Sequence, residues 1–233
     1  GCCSDITSST TATGNGVVSF PVSSIVATAS TTLEFKLNNV QISQSPLSNV
    51  VVNPNVADGP SSVLSGAGLN SAVVGSASSI FLSLYDEFGN AISSAITSPS
   101  TYTFELRKED GTTAVPGTDM VSPSITSWND SDKNYVHTFN YKKSGNYRLI
   151  CLVNGEPCKN SQNLLVSVLS GPVDGTKSTC APVSTSASAG VSYITDVKPA
   201  DTYSNHIVTE LSQTVVIEFS KAGSATGSIT CGS

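Results

Sequence analysis

A period of about 116 residues runs through this 233-residue chain and restricts its fold more than any other feature. Residues 37–62 align without a gap on residues 153–178. The alignment superposes Asn38 on Asn154, Ser45 on Ser161, Val50 on Val166, Val52 on Val168, Asp58-Gly59 on Asp174-Gly175 and Ser62 on Ser178. A second pair of segments, Asp86-Glu87-Phe88-Gly89-Asn90-Ala91-Ile92 and Asp201-Thr202-Tyr203-Ser204-Asn205-His206-Ile207, recurs at an offset of 115. A unit of that length is the size of one small domain. Three units are therefore sampled: the C-terminal half of one over residues 1–56, a complete one over 57–170, and the N-terminal half of a third over 171–233.

Within each unit the apolar residues recur with period two, as in Thr101-Tyr102-Thr103-Phe104-Glu105-Leu106 and Thr214-Val215-Val216-Ile217-Glu218-Phe219. No segment keeps a helical spacing over ten residues. Gly, Pro and Asn interrupt the chain every eight to twelve residues, for example at Gly75, Gly89-Asn90, Gly111, Gly145-Asn146, Asn154-Gly155 and Gly171-Pro172. Short alternating strands punctuated at that rhythm predict an all-β fold of tandem immunoglobulin-like β-sandwiches. A hydrophobic fraction of 38% is enough to build such cores, while charged residues make up only 12%. The net charge of −6 and the scattered Lys and Arg leave no basic patch for phosphates, so nucleic acid is not an expected partner. No apolar run approaches the roughly 18 residues of a membrane span. The first ten residues lack the pattern of a signal peptide, and the chain is expected to be mature or a fragment of something longer.

The complete unit resembles the filamin repeat, the immunoglobulin-like module known from actin cross-linking rods. Ser65-Gly66-Ala67-Gly68-Leu69 is similar to that family's entry segment, Gly75 with Ile80-Phe81 and Leu84 to its second strand, and Asp86 to Asn90 to its Asp-x-x-Gly-Asn turn. Tyr135-Val136, Ser144-Gly145-Asn146-Tyr147 and Val153-Asn154-Gly155-Glu156-Pro157 resemble its closing strands, and Ser45-Pro46 its Ser-Pro signature. The sequence departs from the family at Cys158, where an apolar residue is usual, at Gln162 in place of proline, and at Ser204 in place of the turn glycine. Pro199-Ala200-Asp201 also resembles the start of bacterial-type immunoglobulin-like modules. The resemblance implies filamin-type repeats that provide reach and receive partner strands at open sheet edges.

Asn154-Gly155 favours a type I′ hairpin turn, which sets Val153 opposite Glu156, Leu152 opposite Pro157 and Cys151 opposite Cys158. A disulfide between the two cysteines is expected, with a pair of small core thiols as the alternative. Cys2, Cys3, Cys180 and Cys231 do not pair readily within one unit. They are expected to bond outside this stretch, in completed repeats or between molecules, the alternatives being a metal site or free thiols. Asn129-Asp130-Ser131 is the only glycosylation sequon. The spacing of Asp86, Glu87 and Asn90 reads as turn chemistry and not as a calcium loop. His137 and His206 are isolated, no catalytic constellation is present, and no cofactor or metal is implied.

These features predict a non-enzymatic structural or adhesive segment of a long extracellular filament or cell-surface protein, whose partners are neighbouring repeats or copies of itself. The alternative is a module that binds a peptide or partner by strand addition at a sheet edge. A cytosolic actin cross-linker is disfavoured by the cysteine content.

Overall fold

The computed structural model describes residues 6–8, 11–12, 18–19, 22–95, 101–161, 164–182, 195–208, 215–219 and 227–231. Its centre is a two-sheet sandwich made by nine strands: β1 Ala57–Ser65, β2 Ser71–Val73, β3 Ser78–Asp86, β4 Tyr102–Lys108, β5 Met120–Asn129, β6 Asn134–Tyr141, β7 Gly145–Val153, β8 Glu156–Pro157 and β9 Leu164–Leu169. One sheet runs β5-β6-β3-β1 and the other β2-β9-β7-β4, with β8 folded back on β7. All pairings are antiparallel except β2 on β9. This is the strand order of an immunoglobulin-like sandwich, so the expected fold class is the one observed. No α-helix occurs among the described residues.

Period-two alternation is what produces the core. Ile80, Leu82 and Leu84 of β3 and Tyr135, Phe139 and Tyr141 of β6 point inward from one sheet. Tyr147, Leu149, Cys151 and Val153 of β7, with Val166 and Val168 of β9, face them from the other. Tyr147 donates its hydroxyl hydrogen bond to the Lys143 carbonyl at 2.9 Å, the tyrosine corner that fixes the turn between β6 and β7. Along β1 the buried set shifts at Pro60, where the register against β3 also slips between Ser83 and Tyr85. A Cβ on Gly59 would lie 2.3 Å from the Glu156 carbonyl oxygen, so the β7–β8 hairpin can sit against β1 only over a glycine.

The edge strand β4 departs from the expected clean alternation. Its central residues Phe104 to Arg107 are all half-buried, because only one side of the strand is paired along its whole length.

His137 occupies a core position in the same alternation and is 3% exposed. It stacks on Phe104 with ring centroids 4.3 Å apart, and its Nδ1 shares a 2.7 Å hydrogen bond with the Thr126 hydroxyl. Burial holds its pKa down at about 4, against an ordinary 6.5. The unfolded chain therefore takes up a proton between those values that the fold refuses. Stability is full above pH 6.5 and falls with pH towards 4. Denaturant titrations at pH 7.5 and 5 should differ by about 2 kcal/mol, and His137→Phe should remove most of that difference. An equal pH slope in the variant would assign the effect elsewhere.

The flanking segments repeat pieces of the sandwich. Strand Thr28–Leu33 pairs with Leu47–Val52, and Lys36–Leu37 with Val40–Gln41, as β7 pairs with β9 and β8. Asn38 and Asn39 turn that earlier hairpin at φ of 50° and 65°, as Asn154 and Gly155 turn the later one at 51° and 86°. On the other side, Thr179–Pro182 pairs with Thr195–Lys198, and Val173 bridges Asp201 as Ala57 pairs with Asp86. The Ser178 hydroxyl bonds the Asp174 carbonyl at 2.9 Å, as Ser62 bonds Asp58 at 2.6 Å.

Candidate functional site

The cysteine hairpin has the register that Asn154-Gly155 dictates: Val153 pairs with Glu156, Leu152 with Pro157, and the Cys158 N–H donates to the Cys151 carbonyl at 3.0 Å. Both thiols are fully buried and their sulfurs lie 2.8 Å apart. The Cys158 thiol and burial push the Cys151 pKa far above its ordinary value, which makes the reduced pair a poor nucleophile. The Ser161 hydroxyl lies within hydrogen-bonding distance of both cysteine carbonyls, at 2.9 and 3.0 Å, and closes the segment after the hairpin. One period earlier the same two positions are Phe35 and Ile42, and the Ile42 N–H donates to the Phe35 carbonyl at 3.2 Å. The hairpin thus belongs to the repeat, whereas the sulfur pair replaces an apolar cross-strand pair in one copy.

The other candidate residues are dispersed. Cys180 is exposed on Thr179–Pro182, opposite Val197. Cys231 ends the strand Gly227–Cys231, opposite Val215, while Cys2 and Cys3 lie outside the described residues. Asn129 stands at the turn between β5 and β6, where its side-chain oxygen accepts from the Ser131 N–H at 3.1 Å and its amide donates to Asp132 at 2.8 Å. Among the described residues, no group of three or more His, Cys, Asp and Glu side chains could hold a metal ion. Among the same residues, no helix is long and apolar enough to cross a membrane.

The recurring Asp-x-x-x-Asn segment is the feature whose role the sequence did not disclose. Asp86 is 1% exposed, and its Oδ1 accepts from the N–H groups of Phe88 at 3.0 Å and Asn90 at 2.8 Å. The Asn90 side-chain amide donates to both carboxylate oxygens, at 3.1 and 2.8 Å. Burial raises the Asp86 pKa, but the bonds from the Asn90 side chain and from the Asn55, Asn90 and Phe88 N–H groups outweigh it and hold the carboxyl below its ordinary value. With its lone pairs committed to N–H donors, this carboxylate has no free face for a cation.

Three further bonds leave the turn for the preceding segment. The Asn55 N–H donates to Asp86 Oδ2 at 2.9 Å, the Ala27 N–H to Asn90 Oδ1 at 2.8 Å, and Asn90 Nδ2 to the Ile25 carbonyl at 2.8 Å. At the other end of the sandwich the arrangement recurs. Gly171 N–H donates to Asp201 Oδ2 at 2.9 Å, Ser144 N–H to Asn205 Oδ1 at 3.1 Å, and Asn205 Nδ2 to the Lys142 carbonyl at 2.7 Å. The internal bonds of the second turn also match, including Tyr203 N–H to Asp201 Oδ1 at 2.9 Å. The donor and acceptor partners leave one orientation for each asparagine amide, since a flipped amide would set like groups against the carboxylate and the facing N–H. Asp86 ends β3, whereas the β6–β7 turn at Lys142–Ser144 lies beyond the start of β3, which pairs at Ser78 with Phe139. Nine residues of strand at ~3.3 Å each set the two junctions roughly 25–30 Å apart. The signal in the sequence is the recurrence of Asp and Asn at one offset, a pattern that turn chemistry alone also produces.

No protein-family model and no curated protein matches the sequence. Solved structures do match in fold. The Escherichia coli adhesin FdeC matches at TM-score 0.57 and 20% identity, over 94% of this chain and 65% of that one. InvD of Yersinia pseudotuberculosis matches at 0.51 and 17%, over 97% and 66%. Invasin, a bacterial integrin-binding protein, matches at 0.50 and 12%, over 94% and 43%. The chain thus spans less than two-thirds of the length of each. At these identities the likeness shows a shared fold, a tandem of immunoglobulin-like sandwiches.

Proposed function

We propose that this chain is a structural and adhesive segment of an extracellular or cell-surface protein, in which immunoglobulin-like repeats joined head to tail provide reach and mechanical continuity. The observation that carries this reading is the duplicated junction: the sandwich is entered and left, at opposite ends, through the same six hydrogen-bonding groups. Repeats joined in one way end to end add length with copy number, as a spacer requires. The surface location is supported by the facing cysteines, by the sequon at Asn129, and by similarity in fold to a named adhesin and a named integrin-binding protein. In an oxidising compartment Cys151 and Cys158 form the disulfide that locks the β7–β8 hairpin, closing before burial removes the thiolate. On this reading the protein has no catalytic role.

Small-angle X-ray scattering on the 233-residue chain tests the spacer reading. The expected particle is elongated, with a maximum dimension well beyond that of a single 115-residue domain. A compact particle in which the units fold back on one another would overturn it.

A second reading is favoured by the half-covered edge of β4. Residues 113–115 return along its end, with the Val115 N–H bonding the Leu106 carbonyl at 3.0 Å and the Lys108 N–H bonding the Thr113 carbonyl at 2.8 Å. The Tyr102–Glu105 half ends its sheet, the position at which an incoming strand would add.

A further inference from the structure

We infer that the Asp-x-aromatic-x-Asn turn is a connector whose Asp and Asn side chains recognise the main chain of the repeat before it, so that one repeat carrying this turn can dock on the β6–β7 turn of any other repeat of this fold. The inference rests on the spacer reading and specifies the joint that reading requires. Its partner is the preceding repeat's β6–β7 turn and linker, supplied by the same chain or by another copy.

The two junctions form a natural comparison. On the side that carries the turn, the residues are kept: Asp86 and Asp201, Phe88 and Tyr203, Asn90 and Asn205. On the receiving side the side chains have nothing in common. Ile25, Val26 and Ala27 stand at one junction, and Lys142, Lys143 and Ser144 at the other. Yet the Asp and Asn bonds are the same, because their receiving groups are main-chain atoms: the carbonyls of Ile25 and Lys142, and the N–H groups of Ala27, Ser144, Asn55 and Gly171. The side-chain bonds differ, Asn55 Nδ2 to Glu87 Oε1 at 3.3 Å at one junction and the Ser170 hydroxyl to the His206 carbonyl at 3.0 Å at the other. The spacing between receiving carbonyl and receiving N–H is two residues in both cases.

Each part of the turn has a distinct task. The aspartate gathers the turn's own N–H groups on Oδ1 and uses Oδ2 to hold the linker, at Asn55 or Gly171. The asparagine amide has one N–H against the carboxylate and the other on the preceding repeat's carbonyl, while its oxygen accepts that repeat's N–H. Only an amide of this length supplies a donor and an acceptor side by side while still reaching the aspartate. A carboxylate there would lose the donors and face Asp201 with like charge at about hydrogen-bond distance. The aromatic residue lies on the same surface, since a Cβ on Gly75 would come within 3.2 Å of the Tyr203 ring. The left-handed turn residue is not part of the recognition, as Gly89 at φ 81° and Ser204 at φ 66° serve equally.

The test is amide hydrogen exchange on the full 233-residue chain, read at position 144, in three proteins: the parent, Asn205→Asp, and the triple variant Lys142→Ile, Lys143→Val, Ser144→Ala. The triple variant transplants the first junction's receiving residues into the second. Fluorescence of Trp128, the chain's one tryptophan, checks in each protein that the central sandwich remains folded. Asn205→Asp is expected to speed exchange at Ser144 about tenfold or more with an unchanged Trp128 unfolding midpoint, and the triple variant to exchange at position 144 as slowly as the parent. Retained protection in Asn205→Asp, or its loss in the triple variant, would overturn the inference. The scattering experiment separates the two ideas. An elongated parent with an unprotected Ser144 rejects the connector alone, whereas a compact parent rejects the spacer reading itself.

Discussion

Asp86→Ala is expected to cost the central sandwich on the order of 3 kcal/mol, read as a drop in the denaturant midpoint of Trp128 fluorescence. The carboxylate is buried and bonds three main-chain N–H groups and the Asn90 amide. Alanine leaves the Asn55, Phe88 and Asn90 main-chain N–H groups facing an apolar methyl. Asp86→Asn should lie between, since it keeps one acceptor oxygen but turns an N–H₂ towards the Asn55 N–H. The same bonds set the acid behaviour of the turn. A carboxylate whose folded pKa lies below its ordinary 3.8 stabilises the fold fully above that value. The contribution is lost as pH falls through the lower folded value, so acid should release the turn only after His137 has already weakened the core. Asp201→Ala removes the equivalent carboxylate from the following unit, and it should move the Trp128 midpoint by less than about 0.5 kcal/mol. Equal midpoints for Asp86→Ala and the parent would mean that the turn is held by other contacts.

Reduction is expected to lower the stability of oxidised parent protein by about 2–3 kcal/mol, from the entropy of the loop that a Cys151–Cys158 bond would close in the unfolded chain. The loop runs through only eight residues, which keeps the figure at the lower end of disulfide effects. The measurement is equilibrium unfolding with and without dithiothreitol, on the parent and on a Cys151→Ala/Cys158→Ala variant. The variant should be insensitive to reductant and weaker than the reduced parent by the packing of two buried sulfurs. A parent whose midpoint ignores dithiothreitol would establish the pair as core thiols. That outcome would remove one support for an oxidising compartment without touching the spacer reading. The apolar Phe35 and Ile42 at the same positions one period earlier show that this hairpin can be built without sulfur.

How much could be read in advance varied with the range of the interactions involved. Gly155 after Asn154 fixes a two-residue turn within a few bonds of itself, so the facing of Cys151 and Cys158 was already determined by the local sequence. Alternation along 134–141 likewise placed His137 on the same face as Tyr135, Phe139 and Tyr141. Treating it as an isolated histidine overlooked that this face is the core, where burial suppresses its charge. Edge strand β4 blurred its own alternation because, among the described residues, no neighbour covers the far side along its whole length.

The sequence by itself determined the period, the all-β sandwich and the cysteine hairpin, because each follows from residue spacing and short-range backbone preference. The tertiary structure alone decided what Asp86, Asn90, Asp201 and Asn205 are for. Their partners lie 30 to 65 residues away and are main-chain atoms, which every residue possesses and no sequence pattern marks. A turn and a connector are written with the same Asp and Asn, and only the folded chain shows which backbone stands opposite.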